Sequence, residues 1–233
     1  MTAASVAFPS FVLVNGDSKL VTQADLARVA AACQRQMIEH YAPLWGAGAA
    51  VRAATPSDPP RPGERVGKAL AALSVDGALG YHDELANGDV DFFFSPELDA
   101  EDGSDWSVTV SHEILEAQAD PDLRLAAQDS TGTFWALEIA DAVEADTYEI
   151  DGVKLSNFCT RQWYMPPADG SGPFDYLGLC KSPFEVRAGG YAQRFDPAQG
   201  WVQVGMQRAA RRKMAALGRG ARRRAGATAA GMR

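Results

Sequence analysis

The sequence is short of several residue patterns that would settle its function at once. It has 3 cysteines and 3 histidines in 233 residues. Cys33, Cys159 and Cys180 are far apart, odd in number and form no Cys-x-x-Cys pair. This excludes a zinc finger or a disulfide framework and points to reduced core thiols in a cytosolic setting. No apolar run is long enough to span a bilayer. The first 16 residues lack a basic segment ahead of their short apolar stretch, so no signal peptide is expected and no membrane association follows. Gly-x-x-x-x-Gly-Lys-Ser/Thr and Gly-x-Ser-x-Gly are both missing, which removes the common phosphate loop and the serine-hydrolase elbow.

Acidic residues are absent from one end. All 30 Asp and Glu precede residue 207, while nine Arg and Lys lie from Arg208 onward. The preceding body, with 13 basic residues, carries a net charge of −17. Such a body repels nucleic acid, whereas the tail could make weak phosphate contacts. The tail has no interleaved aromatic residues for base stacking, and folding back on the acidic body is an equal alternative. These shifts divide the chain into a domain over 5–205 and a basic tail over 206–233, partly helical or disordered.

Periodicity predicts a strand over Phe8–Val14 and then a helix over 22–41, started by a capping box at Thr22 and Asp25 and ending near Pro43. A strand is expected within Ala47–Ala53, and an irregular loop at Thr55–Gly63, which holds four prolines. Ala69–Val75 fits either strand or helix. Gly77–Glu84 is extended in character, and Val90–Phe94 is a strand. Nine acidic and no basic residues from Asp83 through Asp105 suggest a solvated acidic rim. Ser107–Ala119 reads as a helix stopped ahead of Pro121. Residues 133–165 look all-β, with Phe134–Ile139 as a strand and Asp151-Gly152 turning a hairpin. A second hairpin is expected across residues 191–204.

Chemistry concentrates in Ser111-His112-Glu113-Ile114-Leu115-Glu116-Ala117-Gln118-Ala119-Asp120-Pro121. On a helix, His112 and Glu116 lie one turn apart on one face, with Glu113 beside them. Zinc hydrolases of the His-Glu-x-x-His type use two ligands at this spacing and the glutamate as general base. Here Glu116 stands at the second ligand position. A third ligand must come from elsewhere. Asp120 lies two turns on, roughly 12 Å along a straight helix, and reaches the same ion only if the chain bends back. Glu138, Asp141 and Glu144 are further candidates, with Asp141 ranked first. One imidazole with carboxylates moves the preference towards oxygen-loving ions such as Mn²⁺ or Ca²⁺, and Zn²⁺, the ion of the hydrolase pattern, stays open. The plainer expectation is a surface helix with Glu113 and Glu116 in water and His112 at a core edge. His82 is a further candidate ligand or substrate contact from an edge strand, with a loop histidine of no role as the plainer reading. Met165 resembles a methionine turn, but a chance methionine in a proline turn is the preferred account.

Taken together, Gly80-Tyr81-His82-Asp83, the Ser-His-Glu-x-Leu-Glu run at 111–116, Asp120-Pro121, Glu138-Ile139-Ala140-Asp141 and Gly152–Phe158 resemble a pattern in uncharacterised bacterial and tailed-phage proteins of zincin-like metallopeptidase type. The resemblance spans about residues 78–195. The family pattern has Cys-Asp-Pro where this chain has Ala140-Asp141-Ala142. It implies an α+β, zincin-like fold: a mixed sheet, a long N-terminal helix, an active-site helix and a β-rich C-terminal half. The expected function is a metal-dependent hydrolase acting on peptides or proteins. His112 and Glu116 would be its ligands, completed by Asp141 or Asp120, and Glu113 its base. The alternative is a non-catalytic binding protein or phage structural protein on the same scaffold. Location would be cytoplasmic or phage-associated.

Overall fold

The computed structural model describes residues 10–75, 78–85 and 90–205. The basic tail at 206–233, residues 5–9 at the start of the expected domain and the first two residues of the expected 8–14 strand lie outside the described residues.

In chain order the elements are β1 (Ser10–Asn15), α1 (Gln23–Arg35), a π-helical turn (Gln36–Tyr41), α2 (Ala42–Trp45), β2 (Ala50–Ala53), β3 (Glu64–Ala69), β4 (Gly80–Glu84) and β5 (Val90–Phe94). Then come α3 (Pro96–Asp102), α4 (Trp106–Ala119), β6 (Ala126–Gln128), β7 (Phe134–Ala136), a 3₁₀ turn (Asp141–Val143), β8 (Thr147–Ile150), β9 (Val153–Ser156), α5 (Arg161–Tyr164), β10 (Tyr191–Asp196) and β11 (Gly200–Gly205). The fold is α+β. Its main sheet has the order β2-β1-β3-β5-β4, parallel except for β4, which runs antiparallel to β5 at the edge. A second sheet has the order β11-β10-β7-β6, and β8-β9 form a separate hairpin.

The predicted capping box starts α1: Asp25 N–H donates to Thr22 Oγ1, and Thr22 N–H to Asp25 Oδ2. The helical run passes the expected stop at Pro43. Ala42 N–H bonds Met37 O across a π turn, and Pro43 opens the last short helix, where its missing N–H is tolerated. Gly46, at φ +95°, then ends it.

Strand β3 sits at the centre of the main sheet, although its sequence Glu-Arg-Val-Gly-Lys-Ala does not read as a buried strand. Its long cations are held in place. Arg65 Nη1 donates to Ala117 O at 2.7 Å, and Lys68 Nζ to Asp91 Oδ2 at 3.0 Å. Gly67 makes room for the Phe92 ring, whose Cζ lies 2.1 Å from where a Cβ would stand. Residues 70–75, read as strand or helix, form bends instead.

The main core joins Phe11, Leu13, Leu26, Val29, Phe92, Phe94, Val110 and Ile114 with Trp163 and Tyr164 of the second half. Helix α1 packs on β1, β2 and β9, and α4 packs on β4, β5 and β9. The expectation that residues 133–165 are all-β is corrected. β7 stops at Ala136, the chain turns through a 3₁₀ segment at 141–143, and α5 is helical. The Asp-Gly hairpin forms as expected, with φ of 51° at Asp151 and 72° at Gly152. Among the described residues, no helix is long and apolar enough to cross a membrane. All three cysteines are free and buried.

Candidate metal centre

Every residue of α4 from Thr109 to Ala117 is buried, so this helix has no solvated face at its middle. One flank is covered by the β8-β9 hairpin, where Ser156 N–H donates to Ser111 Oγ at 2.7 Å and Ser107 Oγ to Lys154 O at 2.8 Å. Another is covered by β4. In the β4-β5 register His82 faces Phe92 and Gly80 faces Phe94, whereas Tyr81 faces Phe93. Alternation therefore turns Gly80 and His82 to the core side with Phe92 and Phe94, and Tyr81 away from it. Gly80 is required there: a Cβ would lie 2.6 Å from Thr109 Cγ2 and 3.1 Å from Glu113 Cγ.

The arrangement rules out a surface helix with wet carboxylates. Glu116 is fully buried and Glu113 is 2% exposed; His112, at 7%, is the least buried of the three. His112 Nε2 lies 3.2 Å from Glu116 Oε1 and 3.2 Å from Asp141 Oδ1. The one-turn spacing on α4 supplies the first contact. The second comes from the 3₁₀ turn, which is pinned from several sides. Arg187 N–H donates to Ala142 O, Cys159 N–H to Ile139 O, and the Tyr164 hydroxyl to Glu138 O. Gly190 packs so closely on this turn that a Cβ would meet Ala142 O at 2.4 Å.

These distances bear on what the group can hold. A charge-assisted N–H···O bond is about 2.7–2.9 Å. Ligand atoms on a tetrahedral ion, with bonds of about 2.0–2.2 Å, stand roughly 3.3–3.6 Å apart. The two contacts at 3.2 Å lie at the long end of ordinary N–H···O bonds and just short of that second spacing. His112, Glu116 and Asp141 thus form a cluster that could hold a metal ion, all three ligand atoms lying within 4.8 Å of one another. One nitrogen and two carboxylate oxygens suit a divalent cation of borderline to hard character.

The electrostatics are consistent with a site that attracts positive charge. Burial alone would lower the His112 pKa; the Glu116 and Asp141 carboxylates outweigh it and hold the imidazole well above its ordinary value. The Tyr164 hydroxyl is pushed up by burial first, with Cys159, Glu138, Glu116 and Asp141 adding to it.

A second group forms on the other side of Glu116. His82, Glu113 and Glu116 also bring three ligand atoms within 4.8 Å of one another. His82 is fully buried, and its Nδ1 lies 3.2 Å from Glu113 Oε2. By sequence His82 is a candidate from an edge strand, ranked behind a loop histidine without a role; the β4 register that turns it inward brings it to Glu113.

Asp120 does not join either group. Its side chain turns the chain after α4: Oδ1 accepts Arg124 N–H and Oδ2 accepts Leu125 N–H, both at 2.9 Å. The bend at Pro121 exists, but it directs this carboxylate into the loop. Met165 is 55% exposed, at the surface beside buried Tyr164. The acidic segment 82–105 is only partly a solvated rim. Asp91 binds Lys68, and Asp99 accepts the Thr109 hydroxyl at 2.8 Å in the interior. No family model, curated protein or solved structure matches the chain.

Proposed function

We propose that this chain is a metal-dependent hydrolase of zincin-like type, with peptides or proteins as substrates. The observation that carries the reading is the position of His112 Nε2 at 3.2 Å from carboxylates on two separate elements, α4 and the 3₁₀ turn. Local helical geometry explains only the first of these contacts. The order of elements also supports a zincin-like reading, with an antiparallel edge strand, β4, packed against the ligand-bearing helix. The peptide substrate rests on the family resemblance.

In this reading His112, Glu116 and Asp141 hold the ion, with Zn²⁺ first and Mn²⁺ or Ca²⁺ as alternatives. A bound ion of this kind acts as a Lewis acid and lowers the pKa of water. Glu113, the next residue on α4, takes the proton as general base. Its Oε2 is oriented by His82, and its Oε1 lies on the Gly80 side, 3.2 Å from where a Cβ of that glycine would stand. Burial of both groups keeps bulk water from screening these charges.

The test is metal analysis of the purified full chain with a peptide-hydrolysis assay. Wild type should hold stoichiometric metal. His112→Ala, Glu116→Ala and Asp141→Ala should each lose the ion bound at this group. Glu113→Gln should keep that ion and lower kcat about 10²- to 10⁴-fold. A wild-type chain with no stoichiometric metal defeats the reading.

Burial also favours a second reading, a non-catalytic binding or structural protein with a closed metal site. Structural sites are closed, whereas catalytic ones keep an open position. Under that reading metal is retained and Glu113→Gln changes nothing that can be measured in function.

A further inference from the structure

We propose that the core of this protein binds two divalent cations, with Glu116 as their shared ligand and His82 and Glu113 holding the second ion. The inference rests on the metal reading above and extends it to residues that reading leaves without an ion. Two three-residue groups, His112-Glu116-Asp141 and His82-Glu113-Glu116, meet at one carboxylate. All five residues are buried.

The second group has an observation of its own. His82 Nε2 lies 3.4 Å from the backbone oxygen of Asp120. A carbonyl only accepts, so an imidazole that ligates through Nδ1 has a partner here for an N–H on Nε2. Nδ1 itself faces Glu113 Oε2 at 3.2 Å. A proton or a cation between these two atoms satisfies that contact. A proton on Nδ1 satisfies one carboxylate. The third member, Glu116, brings another, and an ion accommodates all three donors together. An imidazole that ligates through one nitrogen and donates its other N–H to a carbonyl is the usual outer-shell pattern of metal-bound histidine.

The turn at Asp120 fixes this partner. Its carboxylate accepts two backbone N–H groups, and its backbone oxygen also accepts Leu123 N–H at 3.2 Å. Asp120 therefore serves the second group through its main chain. Gly80 contributes on the opposite side by admitting Glu113 against β4. With an ion on Oε2, Glu113 keeps Oε1 as a proton acceptor. Two cations at one shared carboxylate form the type of clamp that stabilises both oxygens of a displacement.

The experiment uses the full chain, stripped of metal and reloaded with Mn²⁺, read by elemental analysis and electron paramagnetic resonance. Wild type should hold two Mn²⁺ per chain with an exchange-coupled spectrum in place of the isolated six-line signal. Glu113→Gln, which preserves side-chain shape, and His82→Ala should each hold one Mn²⁺ and show the isolated signal. Two magnetically isolated ions in wild type, or two ions retained in Glu113→Gln, overturn the shared site. One ion in wild type overturns it and leaves the proposed function standing. No bound ion overturns both.

Discussion

Carboxylates crowd together in two places in this protein, and the two places solve the same electrostatic problem differently. At the edge of the main sheet, Arg52 forks onto Glu64 through Nε and Nη2 at 2.8 and 2.6 Å, and its Nη1 reaches Asp58 Oδ2 at 3.2 Å. The same guanidinium donates to the backbone oxygens of Asp58 and Pro59. Its hydrogen bonds hold Glu64 below the usual carboxylate range. In the interior, Glu113, Glu116 and Asp141 meet imidazoles at 3.2 Å. A guanidinium carries a permanent charge and a fixed fork of donors. An imidazole carries a conditional charge and one lone pair that a cation can use. The outer cluster is complete as built; the inner one has the donor chemistry of a binding site.

Metal removal should separate the two most strongly. With an ion at 1,000 times its Kd, binding stabilises the folded state by about 4 kcal/mol. At about 2–4 °C per kcal/mol for a domain of this size, chelation should lower Tm by about 8–16 °C in a thermal scan. Glu116→Gln comes next, since both inner groups use this residue. The variant should lose most of the metal-dependent stabilisation. Without metal it should sit within about 1 kcal/mol of the wild type or above it, because a buried carboxylate among others is costly. Denaturant melts with and without chelator check both halves.

Arg52→Ala should cost about 1–2 kcal/mol, discounted for the partial exposure of the arginine, and the cost should be the same with or without metal. A metal-dependent cost would break the distinction between the clusters. The smallest effect concerns Asp129, at the β6-β7 turn. Hydrogen bonds from the Thr131 hydroxyl, then from Trp135 and backbone N–H groups, bring its pKa to about 2. A lowered folded pKa contributes stability above the unfolded value, about 3.9. That contribution is lost as pH falls through about 2. Carboxyl NMR titration should place Asp129 there, with or without metal.

Much of the outer frame was legible in the sequence. The Thr22 capping box, the Val90–Phe94 strand, the stop of α4 before Pro121 and the Asp151-Gly152 hairpin each depend on neighbours within a few residues. The one-turn pair His112 and Glu116 was legible for the same reason. Strand β3 was not, because its Arg65 and Lys68 are satisfied by Ala117 and Asp91 from distant segments. Burial of α4 was hidden because its mid-helix carboxylates meet histidines that β4 and the helix itself supply. His82 enters through strand register, and Asp120 is drawn off by the backbone of its own loop. Asp141 was a candidate by sequence; a turn held by Cys159, Tyr164 and Arg187 brings it to His112.

The most direct test of the central claim is anomalous diffraction from crystals of the full chain loaded with Zn²⁺. The account predicts a peak bonded to His112 Nε2, Glu116 and Asp141 at about 2.0–2.2 Å. Full metal loading with the interior empty and the peak elsewhere, or no peak at all, would contradict it.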